Sequence, residues 1–421
     1  MLPKNSPVPH PMSALVLTAG GARGAYQAGV MKRIAEIPAF ADGAAPFSII
    51  TGASAGAING SCIAANHQSL AAGAKLLVKL WSQLKANQVY RTDPLALVKN
   101  ATNLVLDFGL GGLIGAGRVQ SLMDSSPLYQ FLNENLKLDG IRRAVKEGDL
   151  FALGITATGY HTGRAFTFVE GKQGHPLWNK SRRVALSAQI DIRHVLASAA
   201  IPIVFPPVQL PMGTASAYFG DGAMRLVTPL SPAIRLGADR LLAIGVRCQE
   251  SANSLLRSEW SQDEDFASDL QRPPLSQICG TLMNAIFLDH LDSDLEHLKR
   301  MNAFVQEHEK LASLVDLVDE PEPDHEPLRI VTPMVISPSA DIAIIAKTMQ
   351  HRLPKSIRYM IDGLGTPDAQ SADLTSYLLF DSSFTRELIQ LGYRDAAHRI
   401  DEIEAFLRDP EPQTATTMEA N

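Results

Sequence analysis

The spacing of apolar and polar positions changes character near the middle of the chain. Close to its start, SALVLTAG (13–20) is a short run of apolar and small residues ending on glycine. Such a run is too short for a buried helix and predicts a buried strand feeding a turn. Next, Tyr26, Val30, Ile34 and Ile37 recur close to a helical period. The order returns in FSIITGASAGAINGSCIAA (47–65): strand, tight glycine turn, helix of small residues. Two such units in succession predict parallel βαβ connections and a doubly wound sheet with helices on both faces. Further strands are expected at DLFALGITATGY (149–160) and GRAFTFVE (163–170), and at RLLAIGVR (240–247) after the helical SPAIRLGA (231–238). Between Leu70 and Leu138 the pattern is helical and loop-rich, with FGLGGLIGAG (Phe108–Gly117) in its middle. That patch suits a flap over a site, a membrane-touching loop or a buried loop, and composition leaves all three open. No repeat of solenoid length is present.

From Gln249 onward helical spacing dominates. Residues 249–274 are polar and read as a linker, and helical patterns follow at 275–308, 339–363, 372–391 and 393–408. Asp316–Pro327 is an acidic, proline-punctuated loop. The expected organisation is a flexible leader (1–12), an α/β domain (13–248), a linker (249–274), a mostly helical C-terminal region (275–408) and a disordered tail (409–421).

Composition narrows the function. A chain of 421 residues with 46% hydrophobic and 19% charged positions is an ordinary globular protein, long enough for two domains. Its net charge of −6 leaves no electrostatic footprint for nucleic acid, so no such partner is expected. Cys62, Cys248 and Cys279 are too few and scattered for a disulfide framework or zinc site and read as buried thiols. The proline-rich start lacks the apolar core of a signal peptide. No apolar run approaches the ~20 residues of a spanning helix, and a cytoplasmic, soluble chain is the expectation.

Three stretches carry candidate chemistry. Gly52-Ala53-Ser54-Ala55-Gly56 is a G-x-S-x-G pentapeptide at a strand-to-helix turn, which holds a serine oxygen clear of the backbone. Gly20, Gly21, Ala22, Arg23 and Gly24 form a nest at the mouth of the first strand, for a phosphate or for an oxyanion. The phosphate reading is the weaker one. No G-x-x-x-x-G-K-[ST] exists, and Ala19 takes the first place of a G-x-G-x-x-G. A serine attacking an acyl carbonyl needs main-chain N–H groups aimed at the developing oxyanion, which this loop supplies. Arg23 either ties the loop to carbonyls or faces an anionic head group. Candidate bases among the histidines after Ser54 include His67, His161, His175, His194, His290 and His297, each reading alone as surface or structural. Asp221 lies between two glycines after a short apolar segment and reads on its own as an Asp-Gly turn. His290, Asp294 and His297 fall on one helix face, which reads as solvated rather than as a metal site. No metal or organic cofactor is expected.

In their order, the Gly20–Gly24 loop, the G-x-S-x-G and Asp221-Gly222-Ala223 resemble the patatin-like phospholipase family. SLMDSSPLYQFL (121–132), ITATGYHTGRAFTF (155–168), HVLASAAIPIVFPPV (194–208) and SPAIRLGADRLLAIGV (231–246) are similar as well, so the likeness spans roughly Leu15–Val246. The resemblance implies a three-layer α/β catalytic domain and a Ser–Asp dyad without histidine, with Ser54 as nucleophile and Asp221 as base. It implies an oxyanion hole from Gly20, Gly21 and Ala22, completed by Arg23 and Gly24 and supported by Gly52, Gly56, Gly222 and Ala223. The implied substrate is a phospholipid or other lipid ester, reached through transient contact with a membrane surface, while oligomeric state stays open. Ile201–Pro207, which reads from composition as packing, is placed near the acyl site by the resemblance. The helical C-terminal half resembles extensions of some bacterial members. Ala19 departs from the family's usual glycine and is compatible with the loop if its φ stays negative. A carboxylate base requires a dry site and a raised pKa, so the acid limb of activity is expected to follow a carboxyl group. Two rivals stand beside this reading: a Ser–His–Asp esterase of the α/β-hydrolase kind, and a catalytically silent lipid-binding or regulatory module.

Overall fold

The computed structural model describes residues 11–91, 121–248, 275–287, 290–315, 329–362 and 372–408. The patch Phe108–Gly117, the linker 249–274, the loop Asp316–Pro327, the tail and most of the leader lie outside the described residues.

The five expected apolar runs become strands of one nine-stranded sheet, and four further strands, at 183–187, 208–212, 215–221 and 332–336, are not among those expected. The nine are β1 (Ser13–Leu17), β2 (Ile49–Ala53), β3 (Ala152–Gly159), β4 (Arg164–Gly171), β5 (Arg183–Ser187), β6 (Val208–Met212), β7 (Ala215–Asp221), β8 (Arg240–Ile244) and β9 (Thr332–Ile336). The order is β5-β4-β3-β2-β1-β8-β9, with the β6–β7 hairpin attached through β7 to β3. Pairing is parallel from β3 through β2, β1 and β8 to β9, and antiparallel where β3 meets β4 and β7. The sheet is therefore mixed and mostly parallel. β2 and β3 are buried along their whole length, as expected of strands covered on both faces.

The helices that position the site are α1 (Ala25–Ala35), α2 (Ala55–Ala65), α3 (Leu70–Gln83), α4 (Ser126–Asn135), α5 (Ile192–Ser198), α6 (Ser231–Arg235), α7 (His290–Val315), α8 (Ala372–Leu378) and α9 (Ser382–His398). Side-chain alternation along β1 sorts them into two layers. Leu15 and Leu17 join the core beneath α1, α2 and α3, while Ala14 and Val16 join a second core with Leu236 of the α6 turn and Leu291 and Leu298 of α7.

The C-terminal half is helical for the most part, but it also completes the sheet. β9 runs parallel to β8 from Arg240↔Thr332 to Ile244↔Ile336. α9 crosses α1 at two reciprocal glycines. A Cβ on Gly29 would lie 2.0 Å from the Ile389 carbonyl oxygen, and one on Gly392 would lie 2.1 Å from that of Tyr26. Tyr26 Oη–H, buried in this contact, donates to Asp395 Oδ2 at 3.0 Å, and Ser339 N–H donates to the same oxygen at 3.0 Å.

Candidate active site

Ser54 forms the corner between β2 and α2, with φ 55° and ψ −124°. Positive φ is uncommon for a residue with a Cβ and survives only where the surroundings over-determine it. Here they do. A Cβ on Gly52 would lie 2.3 Å from the Gly56 carbonyl oxygen, and one on Gly56 would lie 2.1 Å from that of Leu17. Both glycines are thus required for β1, β2 and α2 to come together. The Ser54 N–H donates to Ser198 Oγ at 3.0 Å, and that hydroxyl donates to the Thr156 carbonyl at 2.6 Å, both bonds buried. Ser198, at the end of α5, thereby ties the corner to β3. Sequence reasoning did not single it out.

Asp221 ends β7 with no solvent exposure. Its main chain is held twice, by its N–H to the Ala200 carbonyl at 2.9 Å and by Thr158 Oγ1–H to its carbonyl at 2.7 Å. Oδ1 accepts the Ala223 N–H at 2.9 Å, while Oδ2 is buried without a partner of hydrogen-bond geometry. A Cβ at Gly222 would meet the Thr156 carbonyl oxygen at 2.0 Å, so only glycine fits there. Burial pushes the Asp221 carboxyl up to about 7; the neighbouring Ser54 hydroxyl and the Ala223 N–H pull it down without cancelling that effect.

The Gly20–Gly24 loop closes into a 3-10 turn over Gly21–Gly24. The N–H groups of Gly21 and Ala22 head this turn, where helical geometry offers them no partner of their own. Ala19 is absent from the described non-glycine residues at positive φ, so its methyl group is accommodated. The loop rests on a buried amide network. Asn59 Nδ2 donates to the Gly24 carbonyl at 3.0 Å and to Gln27 Oε1 at 2.8 Å, and Asn59 Oδ1 accepts Trp81 Nε1–H at 2.8 Å. Gln27 Nε2 reaches the Thr18 and Ile244 carbonyls, both at 3.0 Å. Arg23 takes neither course left open by its sequence. It is buried and bonds the side chains of Ser376 and Asp373 in α8.

Gly21 and Ser54 share one apolar cleft of about 550 Å³, open mouth included. Trp81 from α3, Leu128 and Leu132 from α4, Ile201, Phe205 and Phe380 wall it. Ile201 and Phe205 thus face the cleft, beyond the packing role their composition suggests. None of the candidate histidines lines it. His67 Nε2 lies 2.8 Å from the Phe47 carbonyl, His194 Nδ1 lies 2.8 Å from Asp191 Oδ1, and His175 Nδ1 lies 2.9 Å from the Lys172 carbonyl. His161 and His297 are exposed, and His290 lines a different cavity with Thr18, Ala53 and Ala223. The face bearing His290 and His297 is not wholly solvated, contrary to the sequence reading. Asp294 is buried there and accepts the Leu230 N–H at 2.8 Å, because it serves a chain turn above α6. The Cys62 thiol is buried and pushed up to about 12, Cys248 is only half-buried, against the expectation, and Cys279's side chain lies outside the described residues.

Among the described residues no helix is long and apolar enough to cross a membrane. A comparison with curated proteins finds no match. Among solved structures the chain is similar to VipD from Legionella pneumophila, at 12% identity and a TM-score of 0.30, with 90% of this chain and 67% of that one covered. It is similar also to human GIVD cytosolic phospholipase A2, at 10% identity and a TM-score of 0.39, with 95% of this chain and 61% of that one covered. The chain thus spans about three fifths to two thirds of the length of these two proteins. The family model described as patatin-like phospholipase matches residues 15–234. With more than half of its residues matched, the chain belongs to the patatin-like phospholipase family.

Proposed function

We propose that the protein is a lipid acyl hydrolase that cleaves carboxylic esters through Ser54 and Asp221. The observation that carries this reading is the pairing of a strained serine corner with a fully buried carboxyl group beside it, at the head of an apolar cleft. In this reading Ser54 Oγ attacks the ester carbonyl carbon as its proton passes to Asp221 Oδ2, the oxygen without another partner. The carbonyl oxygen becomes an oxyanion that the N–H groups of the Gly20–Gly24 loop stabilise, helped by the positive end of α2. The C–O bond then breaks, and the departing alcohol takes the proton from Asp221. Water attacks the acyl-Ser54 ester as Asp221 again accepts a proton; the acyl–Oγ bond then breaks, Asp221 returns that proton to Ser54 Oγ, and the carboxylic acid leaves.

A serine hydroxyl is a weak nucleophile without a base. A carboxylate raised to about 7 is matched to that task near neutral pH, where an ordinary aspartate is too weak. The cleft's hydrocarbon walls suit an acyl chain, and the family's lipid ester substrates supply one. Favouring the dyad over a Ser–His–Asp triad is the absence of histidine among the described residues lining the cleft.

The test is labelling by a fluorophosphonate, with the adduct mapped by mass spectrometry, alongside fatty acid release from phospholipid vesicles. Labelling at Ser54 that disappears in Ser54→Ala, together with release that disappears in the same variant, is the expected result. A folded wild type that is neither labelled nor active would make the chain a silent module.

A further inference from the structure

We infer that Arg23 is a positioning residue held by α8 of the C-terminal half, and that Asp373, Ser376 and Tyr377 thereby set the donors of the Gly20–Gly24 loop. The inference rests on the hydrolase reading above and gives the C-terminal half a part in the site.

The contacts converge on one guanidinium. Arg23 Nε–H donates to Ser376 Oγ at 2.7 Å and Nη2–H to Asp373 Oδ1 at 2.9 Å. The guanidinium carbon stands 4.7 Å from the centre of the Tyr377 ring. Residues 373, 376 and 377 are spaced i, i+3 and i+4, so one helix face presents acceptor, carboxylate and ring together. The Ser376 hydroxyl spends its own hydrogen on the Asp373 carbonyl at 2.5 Å, which leaves its oxygen as the acceptor for Arg23. A planar fork fixed on two oxygens and a ring permits little rotation of the side chain.

The grip reaches the loop's backbone as well. A Cβ on Gly21 would lie 2.6 Å from the Tyr377 carbonyl oxygen, so α8 sits directly against the residue whose N–H heads the turn. At the last residue of α8, the Leu378 carbonyl accepts Tyr90 Oη–H at 3.0 Å, and just past the helix Phe380 walls the cleft. Arg23 has 3% of its side chain exposed and does not line the cleft. A guanidinium used in this way is turned from any substrate head group. Its effect on the reaction is geometric, because oxyanion donors act only within a narrow range of distance.

The experiment compares the full-length wild type with Ser376→Ala, Ser376→Thr, Asp373→Asn and the Ser376→Ala/Asp373→Asn double variant. Each is assayed on a neutral p-nitrophenyl ester and on a phosphatidylcholine dispersion, and for the rate of fluorophosphonate attachment to Ser54, with folding followed by circular dichroism. Asp373 is one-third exposed and its replacement has the same shape, so that variant keeps its fold. The expected result is a kcat lowered about 10- to 100-fold in the double variant with KM within about twofold. Labelling slows in parallel on both sides of that comparison, and Ser376→Thr, which keeps the hydroxyl, retains most of the rate. Unchanged kcat and labelling in the folded Asp373→Asn and double variants would overturn the inference while leaving the hydrolase reading intact. A raised KM confined to the phospholipid would overturn it too, by making Arg23 a head-group receptor. A wild type without activity or label would remove the hydrolase reading itself, and the inference with it.

Discussion

Replacing Asp221 by Asn keeps the shape of a fully buried side chain and removes its ability to ionise. In the folded protein this carboxyl group titrates near 7 against an ordinary value of 3.8, chiefly because burial penalises its charge. The folded value is the raised one, so the stability associated with the neutral acid is fully present below 3.8 and is lost as pH rises through about 7. The separation corresponds to about 4 kcal/mol in total, more than half of which falls between pH 5 and pH 8. An asparagine has no proton to lose, and its Oδ1 can still accept the Ala223 N–H. Its NH₂ takes the place of Oδ2, which has no partner to lose, and any cost of burying the amide is the same at both pH values. Urea unfolding of the two proteins at pH 5 and pH 8 measures the difference. The stability of Asp221→Asn relative to wild type is expected to improve by roughly 2 to 3 kcal/mol on going to pH 8, while hydrolysis falls by roughly 10³-fold or more. A relative stability that does not move with pH would refute the argument that burial governs this carboxyl. Retained hydrolysis would remove Asp221 as the base.

Other outcomes follow from neighbouring parts of the site. Ser198→Ala leaves the Ser54 N–H and the Thr156 carbonyl buried without their partner, and should lower stability by about 1–3 kcal/mol and kcat by about tenfold, read by urea unfolding and ester hydrolysis. Phe380→Ala opens the wall of the cleft, so kcat/KM across a series of p-nitrophenyl esters should shift toward longer acyl chains, at about 3–5 kcal/mol of stability. The acid limb of kcat/KM should fall near 7, where its position alone does not separate a carboxyl from an imidazole. Its temperature dependence does, because carboxylic acids ionise with little enthalpy and imidazolium with much. A limb that barely moves on warming, and that survives replacement of His161 or His194, is expected.

What could be read from the sequence is what lies close together in it. SALVLTAG with its glycine loop, and FSIITGASAGAING with its corner, each contain strand, turn and helix start within one short segment. Asp221 is singled out in the sequence only through the order of three motifs, since an Asp-Gly turn alone carries no chemistry. Ser198 escaped because its two bonds reach residues 144 and 42 positions away. The partner of Arg23 stands 353 positions downstream, in a helix whose own sequence, ADLTSYL, has nothing to mark it. β9 was missed for a related reason. TPMVI carries a proline, which argues against a central strand, yet it sits at the end of the strand order, where a missing N–H is tolerated. The burial of Asp294 is a matter of which way its helix turns, and charge spacing cannot give that.

The placement of β9 also has a meaning in time. During synthesis β1 is made well before its second neighbour, β8, which lies 227 positions later in register (Ser13↔Arg240), and β8 in turn waits for residues 332–336. At ribosomal speeds the interval between β8 and β9 is on the order of ten seconds, during which an apolar strand edge has no partner. Asp373 and Ser376 arrive later still. A nascent chain therefore carries its serine corner and its buried carboxylate well before it carries the helix that holds Arg23. The Gly20–Gly24 loop gains its support from α8 only after the serine corner and Asp221 have been made.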